Sequence, residues 1–465
     1  MTVLKKPCRY VGEDKLKLIP HGAWSTYSSP WGELQLAQGL FQHRLMRGLR
    51  LILLLAWAAA AALAQPGIPQ EEYRARRAEL RKTLPEGVVA VFGRAEKRDP
   101  DETTPAFRQD PSFLYLTGWE EPGAVLLLWP PSGEALFLPP RDERVDRYTG
   151  RKTAAEDPDA RTATGFDQVL PLPKLEAQLR SLADSHPKVY TLAGQAPGLK
   201  QLLPLREVLD PRPALARLRM KKSPRELELI QHAIEVTVAA QRTAWKRMQP
   251  GAFEYQVAAA FTATVMERGC ANAFPPIAAS GPNAMTLHYQ KNSRRVEPGE
   301  LLVMDVGAEC SAYGADLTRT LPVSGKFTAR QKELYEIVLG AQRAVIAAIK
   351  PGVVPGLKRD TPNSLYKVAY DYIDSHGKDR SGNSLGKYLP HGVSHHVGVR
   401  VHDPGTADQP LEPGMVITVE PGIYIPEEGI GIRIEDMVLV TEQGAKLLSG
   451  ALPKEAGEIE KALAR

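Results

Sequence analysis

Two short apolar runs near the carboxy-terminal end of the chain are each interrupted by acids. Met415 to Val419 is apolar and β-branched and ends on Glu420, where Pro421-Gly422 breaks it. From Gly431 to Val440, Ile432 and Ile434 alternate with Arg433 and Glu435, so the two charged residues share one face of a strand. Pro426 to Gly429 supplies a turn, and the stretch predicts a hairpin that gathers Glu420, Arg433 and Glu435. Taken alone, such acids could face solvent on a half-exposed sheet.

The rest of the chain argues otherwise. Gln70 to Leu84 spaces Tyr73, Leu80 and Leu84 at near-helical intervals, and Val88 to Phe92 reads as a strand. Ala124 to Trp129 and Ala135 to Leu138 pair across the turn Pro130-Pro131-Ser132-Gly133. A helix through Leu175, Leu179 and Leu182 and a strand at Val189 to Leu192 complete an α/β domain, and proline-rich Pro204 to Pro213 reads as a linker. Beyond it the pattern repeats itself. Ser223-Pro224-Arg225-Glu226 is a capping box opening a helix that stops at Pro250-Gly251. A helix from about Glu254 to Gly269 and a hairpin at Leu301 to Val323 follow. Thr328 with Gln331 then opens a helix that stops at Pro351-Gly352, Thr361-Pro362 opens another ending near Gly377, and the acidic hairpin closes the series. Two helix-helix-hairpin halves, offset by about a hundred residues, predict a pseudo-two-fold domain whose hairpins meet.

The net charge of +5 changes little once it is located. Residues 1–64 carry eight Lys/Arg and three Asp/Glu, and the remainder is balanced at 51 of each, so no nucleic-acid partner is implied. With Met46 as start, Arg47 and Arg50 form a positive n-region, Leu51 to Ala61 an apolar core, and Ala62-Leu63-Ala64 a cleavage site before Gln65. The apolar run is short for a membrane span, so the expectation is a cleaved signal peptide and an exported, periplasmic or secreted protein, with a retained anchor as the alternative. Residues 1–45 show no periodicity and read as a non-native leader from an overextended start. Of the three cysteines, Cys270 and Cys310 lie in the body, and nothing in their spacing suggests a disulfide framework or a thiolate metal site.

The first hairpin holds Asp305 in Met304-Asp305-Val306-Gly307 and Asp316 in Ala315-Asp316-Leu317-Thr318-Arg319. Four converging carboxylates cannot all stay ionised without cations, because like charges at close range raise each other's pKa. Arg433 alone could not balance them; two divalent metals would. A fifth ligand is expected from His391 to Asp403, which holds four histidines between the two halves. An oxygen-rich site with one imidazole suits Mn²⁺ first, with Co²⁺ or Zn²⁺ as alternatives.

Together HGVSHHVGVRVHDPG, TVEPGIYI, GIRIED, MDVG with ADLTRT, SGPNAMTLHY and FRQDPSFLYLTGWEEPGAVLLL resemble the pita-bread metallopeptidases, and within them the Xaa-Pro aminopeptidases, over nearly all of Ile68 to Arg465. The resemblance implies an α/β (α+β) protein: a creatinase-like α/β domain over 65–212 and a pita-bread domain with a pseudo-two-fold repeat over 213–465, following the signal peptide read at 46–64. It implies Asp305, Asp316, His395, Glu420 and Glu435 as ligands of two ions, with Asp316 and Glu435 bridging. His288, His391 and His402 would line the substrate site, with Arg433 behind the ligands, and His396 replaces an expected apolar residue or proline in the pocket wall. The implied reaction removes the residue before a proline from a peptide, through a water shared by the ions. Glu420 would shuttle the proton, while His288 and His402 would steady the oxyanion, worth roughly 3–4 kcal/mol per donor. The resemblance also implies peptide substrates, no stable membrane span and a homo-oligomer, dimer or tetramer. Prolidase shares fold and metals but takes dipeptides. Methionine aminopeptidase lacks the amino-terminal domain, creatine amidinohydrolase lacks the ligands, and pita-bread proteins that only bind partners have usually lost ligands too.

Overall fold

The computed structural model describes residues 67–96 and 107–464. The expected leader and signal peptide lie outside the described residues. Apolar runs such as Val88-Val89-Ala90-Val91 become strands buried on both faces, which is why they are continuous rather than alternating. They form a six-stranded mixed sheet in the order β4-β3-β2-β1-β5-β6, from β1 (Gly87–Phe92), β2 (Val125–Trp129), β3 (Gly133–Leu138), β4 (Val169–Pro171), β5 (Lys188–Tyr190) and β6 (Val208–Leu209). Val89, Val91, Leu126, Leu128 and Leu136 pack on one face with Leu80 of helix α1 (Gln70–Thr83) and Phe113 of α2 (Pro111–Thr117). Val88, Ala90, Leu127 and Phe137 pack on the other with Leu175 and Leu179 of α3 (Leu175–Ser185).

The expected linker at Pro204–Pro213 is structured instead. It carries edge strand β6, and α4 (Arg212–Met220) starts inside it with Pro213 in its first turn, where the missing N–H is not needed.

The repeat is then realised. Helix α5 (Pro224–Trp245) opens on the Ser223/Glu226 capping box and ends a few residues before Pro250, in tight turns from Arg247 and Met248 to the carbonyls three residues back. It is followed by α6 (Glu254–Glu267), β7 (Ala271–Asn272), β8 (Ile277–Ser280), β9 (Leu301–Val306), β10 (Ala308–Cys310), β11 (Tyr313–Gly314) and β12 (Leu317–Pro322). The second half has α7 (Ala329–Ala348) on its Thr328/Gln331 capping box, then α8 (Leu365–His376). Helix α8 starts at Ser364 rather than Thr361-Pro362, because Asn363 is left-handed at φ 52 and cannot lie inside a helix. Strands β13 (Val416–Val419), β14 (Gly422–Ile425), β15 (Ile430–Arg433), β16 (Asp436–Thr441) and β17 (Gly444–Leu447) and helix α9 (Ala456–Leu463) complete the chain.

Each hairpin is two paired sections with a break between them. β9 pairs with β12 and β10 with β11; β13 pairs with β16 and β14 with β15. An exported protein could oxidise the two body cysteines, though their spacing does not point to it, and Cys270 and Cys310 do form a disulfide, because β7 pairs with β10 and sets them opposite each other across a 40-residue separation. Among the described residues no helix is long and apolar enough to cross a membrane.

Candidate metal centre and active site

The acids sit at the breaks. Thr318 pairs with Asp305 on the ladder of the first hairpin, and Asp316 lies just before β12. In the second, Val419 pairs with Asp436 and Gly422 with Arg433, leaving Glu420-Pro421 and Ile434-Glu435 between the two sections. Pro421 has no N–H for a ladder, and the Glu435 N–H donates across to the Thr318 carbonyl of the other hairpin at 3.0 Å. Residues 393–397 run beside β13: the Glu420 N–H donates to the Val393 carbonyl at 3.0 Å and the Thr418 N–H to that of His395 at 2.9 Å. Two crossed hairpins and one histidine segment thus deliver five candidate ligands to one point.

All nine residues singled out in the sequence line one cavity of about 200 Å³: Asp305, Asp316, His395, Glu420, Glu435, Arg433, His288, His391 and His402. Ligand atoms of Asp305, Asp316 and Glu435 lie within 4.8 Å of one another, as do those of His395, Glu420 and Glu435. Glu435 belongs to both trios, and Asp316 Oδ2 stands 3.4 Å from His395 Nε2. Burial, then the charges of Asp305 and Glu420, push the Asp316 carboxyl well above the usual range; burial, then Asp316 and Glu420, do the same to Glu435. Burial would pull the Arg433 guanidinium down, but Tyr424 and Asp305 outweigh it and keep it charged.

Divalent cations fit this donor set. Asp305 Oδ1 and Asp316 Oδ1 are buried with no hydrogen-bond partner among the described residues, an arrangement costly for carboxylates unless something else takes the lone pairs. His395 Nδ1 lies 3.1 Å from the His396 carbonyl, which it can only meet as a donor, and this leaves Nε2, turned toward Asp316 and Glu420, as the ring nitrogen that can offer a lone pair to a cation. Arg433, bound to Asp305 at 2.6 Å, is the one permanent cation among the described residues that line the cavity.

Behind the acids runs a chain of polar contacts that the sequence reading passed over. Arg433 Nη1 donates to the Tyr424 hydroxyl at 2.7 Å, that hydroxyl meets His391 Nε2 at 3.0 Å, and His391 Nδ1 meets the Gly392 carbonyl at 2.8 Å. Both ring nitrogens of His391 are therefore engaged with protein. Thr318 Oγ1 donates to Glu435 at 2.7 Å and Thr418 Oγ1 to Glu420 at 3.2 Å. Each threonine is two residues from an acid, and period-2 alternation could have found both. His288 and His402 both reach solvent, but the His402 ring is partly desolvated by the cavity wall, and this, then His395, lowers its pKa, so it is neutral near neutral pH. His396 does not line the cavity. It is buried, packed against Gly405, and desolvation first, then Lys222, lowers its pKa to about 4.

Glu254 was also missed. Fully buried at the start of α6, it accepts from Ser280 N–H and Oγ (both 2.8 Å), Asn283 Nδ2 (3.0 Å), the Tyr289 hydroxyl (2.8 Å) and Arg294 N–H (2.8 Å). It clamps both ends of the segment that carries His288.

The chain resembles known proteins over most of its length. Residues 228–442 match metallopeptidase family M24, and residues 73–190 match the aminopeptidase P N-terminal domain. The chain is 35% identical over 424 residues to Xaa-Pro aminopeptidase of Haemophilus influenzae, covering 84% of this chain and 97% of the relative. It is 34% identical to Xaa-Pro aminopeptidase 3 of Mus musculus, covering 86% and 87%. Its fold superposes on aminopeptidase P from Escherichia coli with the inhibitor Pro-Leu at a TM-score of 0.77 and 30% identity, over 85% of this chain and 98% of the other. The zinc-substituted Escherichia coli enzyme in complex with product gives the same TM-score, identity and coverage.

Proposed function

The chain belongs to metallopeptidase family M24, in its Xaa-Pro aminopeptidase branch, and is a metallo-aminopeptidase; from that premise we propose that it releases the first residue of peptides with proline in the second position. The observation that carries this reading is the meeting of five candidate ligand side chains, two of them with an orphaned carboxylate oxygen, in a chain that also has the amino-terminal domain. Asp305, Asp316, His395, Glu420 and Glu435 would hold two divalent ions, Mn²⁺ first among them, with Asp316 and Glu435 shared. When bound, such ions supply a water acidified toward neutrality and a Lewis-acid hold on the scissile carbonyl.

The chain's own groups do the rest. Glu420, alone among the four acids in being partly exposed, takes a proton on its carboxylate and returns it to the leaving nitrogen. His402 and His288, exposed beside the ligands, donate a ring N–H to the substrate carbonyl and the developing oxyanion. Arg433, Tyr424 and His391 hold Asp305 and the cavity wall in place and transfer no proton.

Relatives named for Xaa-Pro aminopeptidase activity support this over a dipeptidase. The Mn²⁺-loaded enzyme should release the first residue from an Xaa-Pro tripeptide and leave the same sequence without proline intact. Cleavage of the Xaa-Pro dipeptide alone would make it a prolidase. Export is supported by the n-region at Arg47 and Arg50, the apolar run and the Ala62-Leu63-Ala64 site, and the Cys270–Cys310 disulfide suits an oxidising compartment. Mass spectrometry of the exported protein should then find a chain beginning at or near Gln65.

A further inference from the structure

A second group of metal-binding side chains lies away from the acid-lined cavity. Cys270, Cys310 and His232 offer two sulfurs and a ring nitrogen that all lie within 4.8 Å of one another. The sulfurs are joined as a disulfide, yet their proximity has an independent cause. Cys270 directly precedes β7 and Cys310 ends β10; the antiparallel register Ala308↔Asn272 and Glu309↔Ala271 leaves the two cysteines facing, with Cα atoms 4.8 Å apart. Helix α5, which carries His232, is bound to the same strand, because the Ala308 N–H donates to Thr237 Oγ1 at 2.9 Å. Backbone pairing and helix packing would therefore keep the three groups together with the bond open. Both cysteines are buried, His232 is half-buried, and no described residue forms a hydrogen bond or ion pair with the His232 ring.

The chemistry of this set is the reverse of the cavity's. Two thiolates and an imidazole select a thiophilic, borderline-soft divalent ion of the Zn²⁺ class, whereas four carboxylates and one imidazole do not. Two thiolate charges also cancel a divalent charge, so the ion could be buried without leaving net charge in the interior. We propose that Cys270, Cys310 and His232 form a redox-gated site for a Zn²⁺-class ion, closed by the disulfide and opened by a dithiol reductant. In opening, the dithiol passes two electrons and two protons to the disulfide and is itself oxidised to a disulfide, leaving two protein thiols. Binding of the ion then releases the two thiol protons to solvent. The half-exposed His232 side provides entry, and water completes the coordination there.

Cobalt tests this, because thiolate-to-Co²⁺ charge transfer in the near ultraviolet marks sulfur ligands and an oxygen-rich site cannot produce it. The full chain, loaded with Mn²⁺, is reduced with dithiothreitol, freed of it by anaerobic gel filtration and titrated with Co²⁺. The reduced protein should develop the band with saturation at about one Co²⁺ per chain, lose it on adding Zn²⁺, and show none when air-oxidised. In His232→Ala the midpoint should rise by about tenfold or more. No band in the reduced protein overturns the proposal, as does an unchanged midpoint in His232→Ala. Loss of the far-ultraviolet circular dichroism on reduction also overturns it, since the paired strands, and not the bond, are held to assemble the ligands.

Discussion

Glu420 stands apart from the other acids in its exposure: it is the one partly exposed acid of the four, and its carboxylate meets the Thr418 hydroxyl at 3.2 Å and His395 at 3.6 Å. That exposure suits a group that must both bind an ion and move a proton. Glu420→Gln keeps shape and one acceptor oxygen but removes charge and basicity, so one ion should bind more weakly and turnover fall by about 10²–10⁴. His402→Ala should keep both ions and lower kcat by about 10²–10³ through a lost donor. Metal analysis beside kinetics separates the two; ion loss in His402→Ala with near-normal turnover in Glu420→Gln would reverse the assignment. At this scale the residues that meet in the cavity were legible because acids interrupting apolar strands are costly and therefore conspicuous. The four histidines between 391 and 402 do not all reach the cavity. Neighbouring residues of an extended segment point opposite ways, so His395 enters the cavity and His396 turns into the core.

Elements were legible where a local signal defined them, as the Ser223/Glu226 and Thr328/Gln331 capping boxes did for α5 and α7. They were not where partners lie far off in the chain. The broken hairpins read as simple ones, since a break depends on which strand pairs with each section. The disulfide was hidden for the same reason, and so was Glu254, which reads as an ordinary acid in a first helical turn. Its carboxylate accepts from both ends of the 280–294 segment, and an amide cannot do the same, because its NH₂ must face donors that it cannot serve. Each buried donor so orphaned costs about 1–3 kcal/mol. Glu254→Gln should therefore loosen the segment bearing His288, raising KM for peptides and lowering kcat while two ions stay bound. A variant that loses metal along with activity would show that Glu254 supports the acids instead.

Across the whole molecule, helices α1 and α2 of the amino-terminal domain are tied by buried charges to the first hairpin, at Tyr313, and to the loop that holds Asp403. Arg76 bonds the Tyr115 carbonyl and the Tyr313 hydroxyl, and Arg219 joins Ser112 at 3.1 Å to Asp403 at 2.5 Å. Asp403 follows His402 directly, accepts from the Arg400 N–H and gives its own N–H to the His396 carbonyl, so it pins the loop that presents His402. The sequence showed two domains and a repeat but not this link, because neither end of an ion pair reveals its partner. Arg219→Met would leave Asp403 buried with only Lys222, at 3.7 Å, to balance it. Breaking a buried pair from one side costs about 3–5 kcal/mol, so the urea midpoint should fall with its slope unchanged. If the amino-terminal domain acts through this bond, kcat at a temperature where the variant is fully folded should also fall toward that of His402→Ala, with two ions still bound. The double variant Arg219→Met/His402→Ala should then be little slower than His402→Ala alone. Additive losses in kcat would mean that the domain's contribution to the active site runs by another route, and that Arg219 serves stability only.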